Sequence, residues 1–211
     1  LKAAVPAYKK AMRDGDILAT KILSYTNVMV TSYNNCIRRV IWEDAKTTEY
    51  HQFEFLTGYE NLEFNGIKFW NSMDYIIVDE PEKRDIYIPG FMKVPGYELT
   101  LYDSNTDDRT PVSMISRDID SDYMQALASR IEGLRLQAIN LKENGRLQQS
   151  RAAWKEYYNV IGSFTTPVDM FYENRLIRKK SFDYGYACST HKSQGSSYGE
   201  VFVDMKNINL C

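Results

Sequence analysis

The segment from Ser189 to Ser196 (STHKSQGS) has the residue types best suited to chemistry with an oxyanion. It places hydroxyls, an imidazole, an ammonium group, a carboxamide and a glycine in consecutive positions. Hydroxyls and backbone N–H groups bond phosphate oxygens, a lysine adds positive charge, and a glycine lets the backbone approach closely. We therefore interpret the segment as a loop that binds oxyanions.

The turn at Thr26 and Asn27 is a second candidate for a phosphate contact. It follows a strand-like run at 21–25 and precedes a helix predicted over 28–42, where apolar residues recur at spacings of three and four. Either residue can cap the helix, because its side-chain oxygen accepts a hydrogen bond from a free backbone N–H. The start of a helix at the end of a strand is a natural phosphate site. An ordinary capped βα unit explains the same pattern, and both readings stay open at this point.

Two other patterns indicate catalysis only weakly. The run Tyr75–Glu80 (YIIVDE) resembles the strand and acidic pair that hold magnesium in P-loop enzymes. However, Pro81 follows at once and the chain has no GxxxxGK[ST], so we predict an exposed acidic turn there. Cys188 and His191 could form a nucleophile pair, but the sequence displays no third group to orient them.

The acidic residues Asp118, Asp120 and Asp122 begin like a calcium loop. They lack the glycine and the distal glutamate of an EF-hand, so we predict that they cap a helix instead. Three cysteines and two histidines show no metal-ligand spacing, and we expect neither a zinc site nor a disulfide framework.

Two different sequence patterns predict the elements that must position these residues. From about residue 52 to 115, short alternating runs predict five or six strands, which indicate a small antiparallel barrel. Asn65-Gly66 predicts a tight hairpin within it. Around this region the pattern is α/β: strands are predicted at 21–25, 183–189 and 201–205, with a loop or helix start at 190–199. Their apolar character favours a parallel sheet.

Two helices are predicted between these regions, over 118–144 and 147–160. In the second helix, Trp154, Tyr158 and Ile161 share one side, and we interpret this aromatic stripe as core packing. Core packing is also the favoured reading of Trp70 and Tyr75, although aromatic residues in a barrel can stack on bases. The basic run at 175–180 either lines a nucleic-acid path or forms a solvated face.

The composition is that of an ordinary folded protein of 211 residues. With 26 Lys and Arg against 28 Asp and Glu, the net charge is -2, so any nucleic-acid contact must come from a local cluster. The chain has no apolar run long enough for a membrane span or a signal peptide, and we expect a soluble protein in the cytoplasm. It begins at Leu1 instead of Met, and we expect it to be a piece of a longer protein.

The segment Tyr186–Gly195 (YACSTHKSQG) resembles motif V of superfamily 1 DNA helicases, in the form found in the 5′→3′ branch of RecD-like, Pif-like and Dda-like enzymes. The segment Ile22–Asn27, with Val30, Asn34 and Arg38 or Arg39 behind it, is similar to motif IV or IVa of the same enzymes. The cluster of Trp154, Tyr157 and Tyr158 also resembles the Dda-like pattern.

The resemblance implies an α/β fold in which a RecA-like, P-loop NTPase-type parallel-sheet domain (2A) is interrupted by domain 2B, a small SH3-type β-barrel with a helical stalk. The implied division is 1–48 and 166–211 for domain 2A, 49–117 for the barrel and 118–165 for its helical part. The domain that carries the Walker motifs (1A) is absent from this chain.

The implied function is that of the C-terminal motor half of an ATP-dependent DNA helicase, which steps along single-stranded DNA and unwinds duplex. ATP and Mg²⁺ belong to the full-length enzyme, and we expect the isolated chain to be an inactive monomer that holds neither. The resemblance assigns DNA contact to Thr190, His191, Ser193, Thr26 and Asn27. It assigns the ATP cleft and its coupling to Gln194, Gly195 and Lys192, of which the lysine can serve either phosphate.

Two rival functions stay open. One is a non-enzymatic adaptor for nucleic acid or protein that is built on the barrel. The other is a nuclease-helicase or transposase-like subunit that uses the same motor half. We expect no catalytic residue and no metal site within this chain under the helicase reading, and no membrane partner.

Overall fold

The computed structural model describes residues 1–16, 19–64 and 66–208 and shows a mixed α/β fold. The helices are α1 (Ala4–Asp14), α2 (Asn27–Ile41), α3 (Ser121–Glu143), α4 (Leu147–Ile161) and α5 (Met205–Ile208). The strands are β1 (Thr20–Ser24), β2 (Phe55–Gly58), β3 (Leu62–Phe64), β4 (Ile67–Phe69), β5 (Asp74–Ile77), β6 (Glu82–Tyr87), β7 (Lys93–Asp103), β8 (Asp108–Ile115), β9 (Met170–Tyr172), β10 (Arg175–Arg178), β11 (Phe182–Tyr184), β12 (Ala187–Ser189) and β13 (Glu200–Val203).

Three strands from the two ends of the chain form a parallel sheet in the order β12-β1-β13. The register pairs Ile22 of β1 with Ala187 on one side and with Phe202 on the other. The prediction of a parallel sheet that resumes near the end of the chain is therefore confirmed. Since β1 is the central strand, its carboxyl end lies between the ends of its two neighbours.

Helix α2 packs on this sheet and begins where the sequence predicts. Thr26 is its N-cap and accepts a hydrogen bond from the backbone N–H of Met29 at 3.4 Å. Its buried face includes Val30 and Ile37. On the same face, the amide oxygen of Asn34 accepts a hydrogen bond from the backbone N–H of Ala187 at 2.6 Å, which fixes the helix to β12.

The region predicted as a barrel forms a curled antiparallel sheet, in the order β11-β2-β5-β7-β6 with β8 on β7, and β11 joins it from outside that region. Strand β7 is long enough to pair with β8 along one edge and with both β5 and β6 along the other. We call this sheet the half-barrel. Strands β3 and β4 form a separate hairpin in which Gly66 has a φ of +80°. Asn65, the other residue predicted for this turn, lies outside the described residues.

The prediction of a single strand over 183–189 is wrong. Its first part, β11, pairs antiparallel with β2 of the half-barrel, whereas its second part, β12, pairs parallel with β1. The chain crosses between the two sheets at Gly185. A Cβ at this position would lie 2.5 Å from the ring of Phe55, so only glycine fits the crossing without a shift of the core.

Helices α3 and α4 pack as a hairpin and share a second core with the far end of the half-barrel. Leu127 and Ile131 of α3 are buried in it together with Ile115 and Phe164. The face predicted for α4 is right at Ile161, which packs against this core, but wrong at Trp154 and Tyr158. Its buried residues are Ser150, Ala153 and Val160, because small side chains let it approach α3, and the hydroxyl of Ser150 donates a hydrogen bond to the carbonyl of Ala138 at 2.7 Å.

The two aromatic residues predicted to fill that core, Trp154 and Tyr158, lie nearer the surface, whereas Tyr157 packs against it. Trp154, Tyr157 and Tyr158 contact one another through their rings, and Tyr158 is 60% exposed. None of the helices in the described part of the chain combines the length and the apolar character needed to cross a membrane.

Candidate functional site

The structure brings the two segments predicted to bind phosphate side by side. Ser24 at the end of β1 is in register with Ser189 at the end of β12. The backbone N–H of Thr190 donates to the carbonyl of Ser24 at 3.0 Å, so the loop that follows β12 begins beside the turn at 25–27. Ligands of open α/β sheets bind at the carboxyl ends of the strands. We call this region, residues 24–27 and 189–195, the sheet edge.

Asn207, in helix α5 just after β13, holds the turn of the sheet edge in place. Its amide oxygen accepts hydrogen bonds from the hydroxyl of Ser24 at 2.8 Å and from the backbone N–H groups of Tyr25 and Thr26 at 2.8 and 2.9 Å. Sequence reasoning missed Asn207. Nothing in its local sequence marks it, since its role depends on β13 lying next to β1.

The loop after β12 is folded by its own backbone and hydroxyls. The carbonyl of Ser189 accepts hydrogen bonds from the backbone N–H groups of Lys192 and Ser193 at 2.9 and 3.1 Å. Ser193, a predicted DNA contact, donates its hydroxyl to the carbonyl of Thr190 at 2.8 Å. Gly195 has a φ of +84°, a conformation that favours glycine. The conformation of the loop is therefore fixed by hydrogen bonds within it.

Several predicted contact residues face solvent at the sheet edge. Asn27, His191, Gln194 and Gly195 are exposed, and Thr190 is half-buried. Within the described segments, the side chains of Asn27, Thr190 and Gln194 have no hydrogen-bond partner. The ring of His191 lies 6.1 Å from that of Tyr25 and tilts against it. These polar groups are therefore available to a ligand.

Lys192 points away from the open side of the loop and contacts the half-barrel. Its ammonium group donates hydrogen bonds to the carbonyl of Gly58 at 3.0 Å and to the side-chain oxygen of Asn71 at 2.8 Å, and it lies 3.8 Å from the ring centroid of Tyr59. Burial, together with repulsion from Lys180, lowers the pKa of Lys192 to about 8. The ATP-cleft assignment of this lysine stays a prediction.

A buried ionic contact joins the parallel sheet to the half-barrel behind the loop. The ammonium group of Lys21, which is fully buried in β1, pairs with the carboxylate of Asp74 at 2.7 Å and donates to the carbonyl of Gly185 at 2.5 Å. Thr57 donates its hydroxyl to the same carboxylate. Sequence reasoning missed this pair because a lysine in a strand is usually exposed.

A cleft of about 460 Å³ lies between the glycine end of the loop and the half-barrel. Its lining is mainly polar, with hydroxyls and amides from Ser72, Ser104, Asn105, Ser196 and Ser197. Gly195, which the resemblance places next to ATP, lines the same cleft. Such a lining can hydrogen-bond a polar ligand but brings little positive charge to it.

The structure does not form the other catalytic arrangements weighed from the sequence. Cys188 is buried, burial raises the pKa of its thiol, and its sulfur lies 4.0 Å from the hydroxyl of Tyr198, whereas His191 is exposed against Tyr25. A thiol in such surroundings is a poor nucleophile. Asp79 and Glu80 form the exposed acidic turn that was predicted.

The cluster around Asp120 serves a helix. Its carboxylate accepts a hydrogen bond from the backbone N–H of Asp122 at 2.7 Å and caps α3, as predicted. Within the described residues, no group of three or more His, Cys, Asp or Glu side chains could hold a metal ion.

Most of the basic run at 175–180 is already paired within the chain. Arg175 contacts Glu132 at 3.0 Å, and the half-buried Arg178 donates to the carbonyl of Ile161 at 2.7 Å. Lys180 pairs with Asp183 at 2.6 Å, while Lys179 is exposed. The run is therefore neither a simple solvated face nor a free basic stripe.

The two aromatic residues weighed in the barrel have different environments. Tyr75 is buried against Phe69 and Phe182, so its core reading is confirmed. Trp70 is 48% exposed, so its core reading is wrong. The sequence could not distinguish the two environments, because alternation of apolar and polar residues does not show which strand ends the rest of the fold covers.

Neither a scan against protein-family models nor a search of curated proteins finds a match for this chain.

Proposed function

We propose that this chain is the C-terminal motor half of a superfamily 1 DNA helicase and that its sheet edge contacts the phosphates of single-stranded DNA. One observation carries the proposal. The two segments that resemble helicase motifs, 22–27 and 186–195, lie far apart in the sequence but are parallel neighbours, with Ser24 beside Ser189. A chance resemblance in either segment would not require this adjacency.

The chemistry of the sheet edge suits a phosphodiester backbone. Thr190 and Asn27 offer unpaired polar side chains, His191 is exposed beside them, and the turn at Thr26 starts helix α2. Such groups bond phosphate oxygens without reading the base sequence. Ser193 contributes indirectly, because its hydroxyl holds the carbonyl of Thr190.

In the full-length enzyme, ATP and Mg²⁺ would supply the free energy for stepping. This chain has no P-loop sequence and would hold ATP only together with domain 1A, so we expect no ATPase activity from it alone. Gln194 and Gly195, at the exposed end of the loop, would transmit closure of the ATP cleft between this chain and domain 1A to Thr190. Under this proposal the parallel sheet belongs to a RecA-like domain, the half-barrel to an SH3-like insertion, and the protein is a cytoplasmic monomer.

A second candidate is an adaptor module built on the half-barrel. The observation in its favour is Trp70, which is 48% exposed and lines a cleft of about 340 Å³ with Lys68 and Phe69. An exposed aromatic residue beside a lysine suits either a nucleobase or a peptide. The adaptor would bind through Trp70 and would not need the sheet edge.

Single-stranded DNA binding, measured by fluorescence anisotropy at two salt concentrations, tests the helicase proposal. The wild-type chain, a Thr190→Ala/His191→Ala variant and a Trp70→Ala variant are compared. The proposal expects salt-sensitive binding that the Thr190/His191 variant loses and the Trp70 variant retains. The reverse pattern would favour the adaptor, and undiminished binding in the Thr190/His191 variant would contradict the assigned contacts.

A further inference from the structure

An exposed indole lines the cleft of about 340 Å³ beside strand β4, which we call the Trp70 cleft. Trp70 is 48% exposed, and its backbone N–H donates a hydrogen bond to the hydroxyl of the buried Tyr75 at 2.7 Å. Among the residues that the structure describes, its ring stacks on no other aromatic ring and on no cation, and its indole N–H has no hydrogen-bond partner. The indole is therefore available to a ligand.

Two carboxylates line the same cleft from the paired ends of β7 and β8. Asp103 and Asp108 are directly opposite each other in the register of these strands, so their side chains lie on the same face. The pair of Leu101 and Thr110, two residues further along, lines the cleft from that face as well. Like charges directly opposite each other destabilise a strand pair. A cation in the cleft would relieve this repulsion.

The charges of these two aspartates are not neutralised by the part of the chain that the structure describes. Neither aspartate forms an ion pair there. Asp103 is 7% exposed, and its Oδ1 accepts hydrogen bonds from the backbone N–H and the side-chain amide of Asn105 at 2.8 and 2.9 Å, which leave its charge in place. Arg109 is in register with Tyr102 and therefore lies on the opposite face of the strand pair.

Lys68 also lines the cleft but does not reverse its charge. Its neighbour across the β3–β4 hairpin is Glu63, and both side chains are exposed. Opposite charges in this position attract each other, so the charge of Lys68 is matched on its own hairpin. Even without that match, two carboxylates outnumber one ammonium group. The Trp70 cleft therefore attracts a cation and repels the phosphates of a nucleic acid.

We propose that the Trp70 cleft binds the side-chain cation of a lysine or an arginine from a basic segment of a partner protein. The cation would lie on the indole, whose face attracts positive charge, and would donate charge-assisted hydrogen bonds to Asp103 or Asp108. Charge complementarity selects this partner over a nucleobase, since a nucleic-acid strand would bring its phosphates towards the two carboxylates. The inference specifies the partner of the adaptor candidate, and it does not depend on the helicase proposal because these residues lie outside the sheet edge.

The indole N–H signals of the whole chain in NMR spectra report on the cleft. The chain has three tryptophans, and the signal of Trp70 is the one that Trp70→Leu lacks. The probe is a blocked pentapeptide with two arginines, and the matched probe has citrulline, which is uncharged, in place of arginine. The arginine peptide should shift the Trp70 signal to saturation, and the citrulline peptide should bind roughly fivefold more weakly or worse.

Variants of the two aspartates test the role of charge. Asp103→Asn/Asp108→Asn keeps the shape of the cleft and a side-chain oxygen for Asn105, and it should weaken the arginine peptide roughly tenfold. Asp108→Asn alone, which changes an exposed side chain, should lose part of the affinity even if the double variant is unstable. Asp107→Asn is the control, because Asp107 belongs to the same turn but accepts the hydroxyl of Tyr102 at 3.0 Å and lies outside the cleft lining. Its affinity should change less than about twofold.

Three results would overturn the proposal: no shift of the Trp70 signal, equal binding of the two peptides, or undiminished binding in the double variant. A titration with single-stranded oligothymidine tests the other occupant. A Trp70 shift that saturates with this DNA would assign the cleft to a nucleobase and would contradict the proposal.

One further variant keeps the result separate from the proposed function. Thr190→Ala/His191→Ala should retain the full affinity for the arginine peptide while it loses DNA binding. Peptide binding that disappears in this variant would place the peptide at the sheet edge and contradict a site at Trp70. DNA binding that persists in a protein with no peptide affinity would overturn the peptide site alone.

Discussion

Polar residues occupy two neighbouring regions of this molecule in opposite ways. At the sheet edge, Asn27 and Thr190 keep unpartnered polar side chains near solvent. At the junction between the parallel sheet and the half-barrel, Lys21 pairs with Asp74 and Arg38 with Glu54, both at 2.7 Å and largely buried. The first region can bind a ligand without loss of internal bonds, whereas the second is committed to holding the two sheets together.

The comparison teaches that position in the fold, and not residue type, decides which polar groups are functional. Lys21 and Lys192 illustrate this point, because both are lysines but their bonding partners differ. Lys21 has a carboxylate partner and is structural, while Lys192 bonds only neutral oxygens. The predictions below test this division, in order of decreasing effect on stability.

The largest effect is expected at the buried pair of Arg38 and Glu54. Glu54→Leu leaves the guanidinium of Arg38 buried without its carboxylate and should lower the free energy of unfolding by about 3 to 5 kcal/mol. Tyr186 also loses the acceptor of its hydroxyl at 3.0 Å. Chemical unfolding in urea measures the change. The double variant Arg38→Met/Glu54→Leu should recover part of the loss, and a double variant less stable than Glu54→Leu would contradict this reading.

The crossing between the two sheets should be the next most sensitive position. Gly185→Ala places a methyl group 2.5 Å from the ring of Phe55 and should cost about 1 to 3 kcal/mol of unfolding free energy. Gly133→Ala in α3 is the matched control, because its Cβ would meet nothing within 4 Å and alanine favours a helix. Thermal and urea unfolding of both variants should move in opposite directions. Equal effects would show that the crossing is not crowded.

The third prediction concerns pH and the partly buried Lys192. The pKa of Lys192 is about 8 in the folded chain and near its ordinary value of 10.5 when unfolded. Between these values the unfolded chain binds more protons at this residue, so its contribution to the unfolding free energy rises with pH. Below pH 8 the cost of the charged form is present in full.

To measure this effect, the free energies of unfolding of the wild type and of Lys192→Gln are compared at several pH values between about 7 and 9.5. The difference in unfolding free energy should change in favour of the wild type as the pH rises. The buried tyrosines are common to both proteins and cancel in the difference. A difference that is constant with pH would contradict the assigned environment of Lys192.

The smallest effect on stability is expected at the sheet edge. Thr190→Ala and Asn27→Ala should each change the free energy of unfolding by no more than about 0.5 kcal/mol, because neither side chain has a partner to lose. Their single-stranded DNA affinity should fall nonetheless. A loss of stability comparable with that of Gly185→Ala would show that these residues stabilise the fold, and it would weaken the proposal that the sheet edge binds DNA.

Local patterns predicted much of the scaffold. The helix predicted over 28–42 is Asn27–Ile41 with Thr26 as its cap, and the strand at 21–25 is Thr20–Ser24. Periodicity and capping depend on neighbouring residues, so the sequence displays them directly. The segment 190–199, predicted as a loop or a helix start, is a loop.

Features that depend on distant residues were not predictable. The break of the strand at Gly185 requires knowledge that Phe55 lies against it. The pairing of Lys21 with Asp74 and the role of Asn207 at the turn of Ser24 likewise join segments far apart in the sequence. In α4, the prediction followed the aromatic residues and overlooked the small residues that pack on α3, so only Ile161 of the predicted face lies against the core.

Hydrogen exchange of the whole chain, with and without a single-stranded oligothymidine, tests the division between sheet edge and junction most directly. The account predicts new protection of backbone amides at 25–28 and 190–195, with the strands around Lys21 and Glu54 unchanged. Protection confined to the half-barrel around Trp70, or no protection at DNA concentrations that saturate the anisotropy signal, would contradict the claim that the sheet edge binds DNA.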